Sequence, residues 1–415
     1  MHSRCLAISM SVVAVHTIHS QRKILDGDTV YAKKRYVVYL VKALSAQSPD
    51  ETWLCGGAIV TSLFILTSSA CLESVDYIFA ISGLSEYVRT EDLRTHPCTR
   101  KTRKRIVMTC VPKSYDFDEN IEYWSNIDIA LAKVESEFDF NSAPPECSYP
   151  PNFIDINFDP KYQNPGIDVQ VYGWGHNLTW KPPEDKSDLN VKYLQYAPLI
   201  IRQRSVCHKA YANLNLTKII DNNMLCVDAP GNIDDQGNII HRANPVEEQC
   251  VTEIEKQRGI KGVLCKNNSF SDNTRRYATT DGKVLRGKGI CQNDHGGPLV
   301  TFIGNREYLI GVASLYRVTA SSRCVGPFLF TSTQCNGLFL SCVLNETVLQ
   351  DVNSVCNIKS YARGFEIRKK IISWRNHPEG PAANEIDDWE ASTAAPLRFR
   401  PEDMSSSSSR ELFSD

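Results

Sequence analysis

The sequence predicts an all-β fold of short strands, and three observations carry that expectation. Apolar runs rich in Val, Ile, Tyr and Phe recur along the chain, each only four to ten residues long. Turn-forming clusters separate them. They do not alternate with helical patterns in the manner of βαβ units, so a sandwich or barrel is expected rather than a parallel sheet. The runs are Tyr36–Ala43, Gly57–Leu66, Tyr77–Ile81, Arg105–Val111, Ile127–Val134, Val169–Trp174, Lys192–Ile201, Pro298–Ile303, Tyr308–Tyr316 and Phe328–Thr331.

Two helices are expected beside them. Ser205 is placed to cap a short one reaching Tyr211. The other runs from about Tyr361 to Arg375, with Ile367, Ile371 and Trp374 on one stripe. Trp174 and Trp374 are read as core residues. Asp228–Lys288, long and polar, and Gln334–Ser360, with three cysteines, read as loop insertions. After Asn376 the chain becomes acidic and Pro/Ser-rich, ending in Ser405–Ser409, too poor in large apolar residues to fold alone.

Composition sets the class. The chain has 415 residues, 42% hydrophobic and 23% charged, ample for a sizeable core. A net charge of −2 gives no whole-chain argument for nucleic acid or a membrane surface as partner. Fifteen cysteines without a C-x-x-C pair or zinc spacing favour disulfides over metal. Residues 1–20 read as a secretory signal: Arg4 precedes an apolar stretch from Cys5 to Val15, and Ser20 is a small residue near its end. Removing it takes Cys5 away and leaves 14 cysteines, an even number. Four N-x-[ST] sequons, at Asn177, Asn215, Asn267 and Asn345, suit a secreted glycoprotein. The dense basic run Arg100–Arg105 is either a solvated hairpin face, a processing site, or a site for an anionic partner.

Six motifs then occur in a fixed order. They are Lys23-Ile24-Leu25-Asp26-Gly27; Cys55-Gly56-Gly57 leading to Thr67-Ser68-Ser69-Ala70-Cys71; Asp128-Ile129-Ala130-Leu131; Gly173-Trp174-Gly175; Cys291-Gln292-Asn293-Asp294-His295-Gly296-Gly297-Pro298; and Gly311-Val312-Ala313-Ser314-Leu315-Tyr316. Together they resemble the chymotrypsin/trypsin-like serine proteases from about Ile24 to Arg375, and are similar to the inactive serine protease homologues of insects, with no clip domain expected before Ile24. The resemblance implies two six-stranded antiparallel β-barrels, with a C-terminal helix and long loop insertions. It divides the chain into a signal (1–20), a short propeptide (21–23), a protease-like domain (24–376) and a tail (377–415).

That chemistry needs a serine hydroxyl to attack, a histidine to carry its proton, and an aspartate to orient the histidine. By the resemblance, Asp128 is the retained aspartate, Ala70 stands at the histidine position and His295 at the nucleophile position. Nothing in the sequence is placed to orient or deprotonate His295. Loss of either the hydroxyl or the imidazole lowers turnover about 10⁶-fold in a triad enzyme. Asn293 occupies the oxyanion position, where a side chain is expected to restrict a glycine-like backbone. Gly289 at the pocket floor offers no carboxylate. Ser314 lies on the substrate-pairing strand, and Tyr316 and Phe328 stand at wall positions usually held by glycine. Lys23-Ile24 and Asp294 match the activation junction and the aspartate that receives the new amino terminus.

By family position, Cys55–Cys71, Cys207–Cys226 and Cys291–Cys324 are the common bridges. Proximity suggests Cys98–Cys110 and Cys250–Cys265, and leaves Cys147, Cys335, Cys342 and Cys356 with three pairings. The function expected is that of a secreted, catalytically inactive homologue acting by binding, as decoy, cofactor or regulator of proteolysis. No cofactor, metal, nucleic acid or membrane is implied, and the partner is a protein, a protease or protease substrate. The alternatives are an endopeptidase with unconventional residual activity and a structural extracellular component.

Overall fold

The computed structural model describes residues 28–43, 54–73, 75–116, 120–176, 180–182, 185, 187–240, 250–251, 263–264, 288–345 and 367–385. The expected signal, Lys23 and Ile24, Asn177, Asn267, Cys356 and most of the tail lie outside these residues, as do the sequon side chain of Asn345 and the proposed Cys250–Cys265 bridge.

Twelve strands form two closed barrels. The first comprises β1 (Val37–Lys42), β2 (Leu54–Ile59), β3 (Phe64–Thr67), β4 (Ile78–Ile81), β5 (Lys104–Pro112) and β6 (Ala130–Val134). They run in the order β5-β4-β1-β2-β3-β6, and β5 pairs with β6 to close the ring. The second comprises β7 (Asp168–Gly173), β8 (Gln195–Ile201), β9 (Met224–Asp228), β10 (Pro298–Ile303), β11 (Arg306–Val318) and β12 (Cys324–Ser332), in the order β8-β9-β12-β11-β10-β7, closed by β7 with β8. Closure removes exposed edges, which otherwise template aggregation. Val38, Leu40, Leu131, Val169, Leu199 and Ile310 are each fully buried in the two interiors.

The expected run Gly57–Leu66 divides into β2 and β3. The Thr61 hydroxyl accepts the amides of Leu63 (3.2 Å) and Phe64 (3.0 Å), so a side chain supplies the turn that apolar patterning does not show. The nearby α1 (Ala70–Glu73) is a single turn after β3, and α2 (Ile121–Trp124) another, capped by the Asn120 side chain. The helix expected to reach Tyr211 is α3 (Arg204–Ala210). Its N-cap is Gln203, with no side-chain cap, so Ser205 lies inside the first turn instead of capping it. It packs with α4 (Thr217–Asn223) against the outside of the second barrel.

A C-terminal helix is present as α5 (Gly337–Asn345), within the stretch read as a loop; Phe339, Leu340 and Val343 are its buried face. The Tyr361–Arg375 stretch differs from expectation. Ile367–Ile371 forms β13, antiparallel to β5, with Ile367 opposite Pro112 and Ile371 opposite Met108. Residues four apart share a face in a strand as well as in a helix, so the stripe is ambiguous. Here β5 offers ladder partners, and Ile371 is left 73% exposed. Trp374 then enters the first barrel, fully buried, and its indole donates to the Ile106 carbonyl at 2.9 Å. Trp174 is buried too.

The basic run is largely committed to internal partners. Lys101 pairs with Glu146 (2.9 Å), Arg103 with Glu379 (2.8 Å) and Arg105 with Glu135 (3.0 Å), while Lys104 donates to Ser136 (2.8 Å). It fastens the 372–385 segment to the first barrel, which argues against a free anion-binding patch.

Four bridges lie among the described residues: Cys55–Cys71, Cys207–Cys226, Cys291–Cys324 and Cys98–Cys147. The last replaces the expected Cys98–Cys110. Cys110 lies six residues into β5, and a strand advancing about 3.4 Å per residue carries it roughly 20 Å from Lys104. A bridge needs Cα atoms within about 7 Å; those of Cys98 and Cys147 are 4.9 Å apart. Cys342 is also disulfide-bonded.

Candidate functional site at the junction of the barrels

Asp128 lies just before β6. Ile127, which precedes it, takes φ +59°, and a β-branched side chain in that left-handed region marks local strain. The Asp128 carboxylate has no solvent exposure. Its Oδ1 accepts the Ser68 hydroxyl and the Ala70 amide (3.1 Å). Its Oδ2 accepts the Ser314 hydroxyl (2.7 Å) and Nε2–H of His295 (2.7 Å). Burial alone would push this carboxyl up. The charge and hydrogen bond of His295, with the hydrogen bonds of Ser68 and Ser314, outweigh it and hold the carboxyl below its ordinary range.

The imidazole of His295 therefore reaches from the Cys291–Gly297 loop, across the side where Ala70 carries only a methyl group, to the buried carboxylate. This overturns the expectation that nothing orients His295. Its side chain is 21% exposed, and the half-buried Trp124 ring lies beside it, with centroids 5.8 Å apart. Among the described residues no Ser, Thr or Cys side chain hydrogen-bonds to this imidazole.

The loop from Cys291 to Gly297 is fixed on several sides. The Gly56 amide donates to the His295 carbonyl (2.7 Å), and a Cβ on Gly56 would lie 2.6 Å from the Gly297 Cα. That close approach of two backbones explains why the sequence needs glycine there. Asn293 takes φ +71°, so the left-handed backbone persists despite the side chain, contrary to expectation; asparagine is one of the few residues that visits this region. Its amide donates to Asn190 Oδ1 (2.8 Å) and contacts His176 Nε2 (3.3 Å). The Gln292 side chain accepts the Lys181 amide (2.9 Å), and its carbonyl accepts that of His176 (2.8 Å). Replacing Asn190 by Ala should therefore cost about 0.5–1.5 kcal/mol, because a half-buried donor loses its acceptor. Urea denaturation measures the cost, and faster amide exchange confined to 291–297 locates it. Unchanged stability and exchange would show that this contact does not hold the loop.

Asp294 is buried, and its carboxylate accepts the amides of Gly175 (2.9 Å) and Cys291 (3.0 Å). A Cβ on Gly175 would collide with that carboxylate, so this glycine also marks a close approach. Burial pushes the Asp294 carboxyl up to about 7, against the two backbone bonds. No Lys, Arg or His among the described residues pairs with it.

Beside the loop, the Phe328 ring is fully buried in β12 and lies against Gly289, where an added Cβ would overlap it. Tyr316 and Trp180 pack against the same cluster. Burial raises the Tyr316 phenol, with the Asp294 carboxylate adding to the effect. The space over Gly289 is thus filled by side chains of the protein itself.

The structure brings together Asp128, Ala70, His295, Asn293, Asp294 and Ser314, and sets Gly289, Tyr316 and Phe328 beside them. Sequence reading did not find Ser68, Trp124, His176 or Asn190. The one available signal was the small side chain of Ala70 together with an imidazole at position 295.

Two closed six-stranded antiparallel barrels with this cluster at their junction define a chymotrypsin-like protein. The Trypsin family model matches residues 26–238, just over half of the chain, and the chain belongs to that family. Among solved structures it is similar to an inactivated protease paralogue of the scabies mite, at 16% identity, covering 78% of this chain and 97% of that one, with a TM-score of 0.47. It is also similar to a mutant of human heparin binding protein, at 16% identity, with the same coverage and a TM-score of 0.44.

Proposed function

We propose that this chain is a secreted, catalytically inactive member of the trypsin family that acts by binding a protein, a protease or protease substrate. The observation that carries the reading is the His295–Asp128 pair at 2.7 Å. In this reading Ala70 and His295 stand where an active enzyme has its histidine and serine, and Asp128 is the retained third member. The remaining imidazole is bound to the carboxylate, and among the described residues it has no nucleophile to serve. Phe328 over Gly289 supports the same conclusion independently, since a substrate side chain has no space to enter. The disulfides fit an oxidising compartment. No described helix is long and apolar enough to cross a membrane.

Capture from the fluid in which the protein occurs tests the binding. The immobilised chain should retain a protein partner and release it intact, with no new amino termini. A partner released in cleaved form would contradict inactivity. A failure to retain any protein would contradict the binding role.

A further inference from the structure

Asn215-Leu216-Thr217 is a sequon lying entirely within the described residues, in the turn between α3 and α4. Leu216 is fully buried and anchors the turn, while Asn215 and Thr217 are exposed. The sequon therefore keeps its acceptor amide and its hydroxyl within reach of solvent, as glycosylation requires. The Asn215 amide donates to Glu122 Oε2 at 3.1 Å. Glycosylation replaces one of its two amide hydrogens, so this bond can persist.

Glu122 belongs to α2, the turn that carries Tyr123, 54% exposed, and Trp124 beside His295. Leu214 and Ile219 pack in the same cluster as Ile121 and Trp124, and Asn223 of α4 donates to Asn126 at 3.0 Å. The sequon is thus fastened to the wall of the candidate site by a hydrogen bond on each side of an apolar contact.

We infer that Asn215 carries an N-linked glycan, and that this glycan stands at the rim of the candidate site and screens the α2 wall bearing Tyr123. Partners then approach His295 from the sides that α2 does not form. The inference rests on the proposed secretion of the chain.

The test uses the full chain expressed in insect cells, once with its own amino terminus and once behind a heterologous secretion leader. Enzymatic deglycosylation in ¹⁸O-water marks each occupied asparagine as labelled aspartate. Label at Asn215 in both products is expected. An unlabelled Asn215 in the leader-directed product overturns the site. Label in that product, with the native-terminus chain kept inside the cell and unlabelled, supports the site and overturns the secretion reading. Hydroxyl-radical footprinting tests the screen. Removing the bulky glycan, by enzyme or in Asn215→Gln or Thr217→Ala, should raise modification of Tyr123 roughly twofold and leave Tyr31 unchanged. Equal modification of Tyr123 with and without the glycan would overturn the screening.

Discussion

The double variant Ala70→His/His295→Ser is expected to remain without useful activity on peptide substrates, and adding Phe328→Gly is expected to produce the gain. The double variant restores the residue types of a triad. The imidazole introduced at position 70 would take the Asp128 oxygen that His295 now occupies, and the left-handed Asn293 already holds the loop backbone in place. The obstacle that remains is the Phe328 ring against Gly289. Removing one methylene from a pocket contact changes discrimination by about 10–200-fold, so excluding a whole side chain should cost on the order of 10²-fold or more. Hydrolysis of casein and of small peptide esters by the double and triple variants measures this, with circular dichroism to confirm that loss of the buried ring leaves the fold intact. Ala70→His alone should be the worst of the series. Two imidazoles would then compete for one carboxylate oxygen, and overpacking of this kind costs about 1–3 kcal/mol. Robust activity of the double variant would show that Phe328 does not close the pocket.

The second large effect concerns Asp294. With Lys23–Ile24 intact, stability should fall as pH rises from about 4 to about 7. The sign follows from the raised carboxyl: near 7 in the folded chain, against an ordinary value of about 3.9. Between those limits the folded state keeps a proton that the unfolded state has released, so raising pH favours unfolding. Above about 7 both states are ionised and the slope from this group ends. The total is on the order of a few kcal/mol. Urea midpoints at pH 5 and pH 8 should differ in the wild type and converge in Asp294→Asn. A persistent difference in that variant would assign the slope to other groups.

The same measurement tests the proposal that Lys23–Ile24 is an activation junction. The segment after it is already fixed: Asp28 pairs with Lys288 at 2.6 Å, and Asp235 accepts the amides of Tyr31 and Ala32 at 2.7 Å each. A chain beginning at Ile24 has four residues before that anchor in which to carry its ammonium inward. If the ammonium reaches Asp294, its charge lowers the carboxyl and the pH slope disappears. A slope equal to that of the uncut chain would show that Ile24 does not reach it.

The barrels were legible because strands buried on both faces read as short apolar runs. Strand β9 escaped that reading, since its short apolar run Met224–Asp228 contains a bridging cysteine and ends in an aspartate. Strand β13 was misread as helix because Ile367 and Ile371 fit either period. The Cys98 bridge was misassigned because nearness in sequence says little once a strand carries Cys110 away. At the candidate site, motif order places Asp128, Ala70 and His295 in their loops. It does not give the direction of the His295 side chain, which depends on the space left by Ala70 and on a carboxylate 167 residues earlier in the chain. Asn293 was judged from the rule for glycine, while its conformation is set by contacts to Asn190 and His176.

The central claim is that His295 serves no nucleophile, and a fluorophosphonate probe tests it most directly. Such a probe forms a covalent bond with a hydroxyl activated by a neighbouring imidazole. The wild-type chain, with its junction intact or beginning at Ile24, should show no label in intact-mass spectra under conditions that fully label an active trypsin-family enzyme. Stoichiometric label at any residue around Asp128 and His295 would contradict the account.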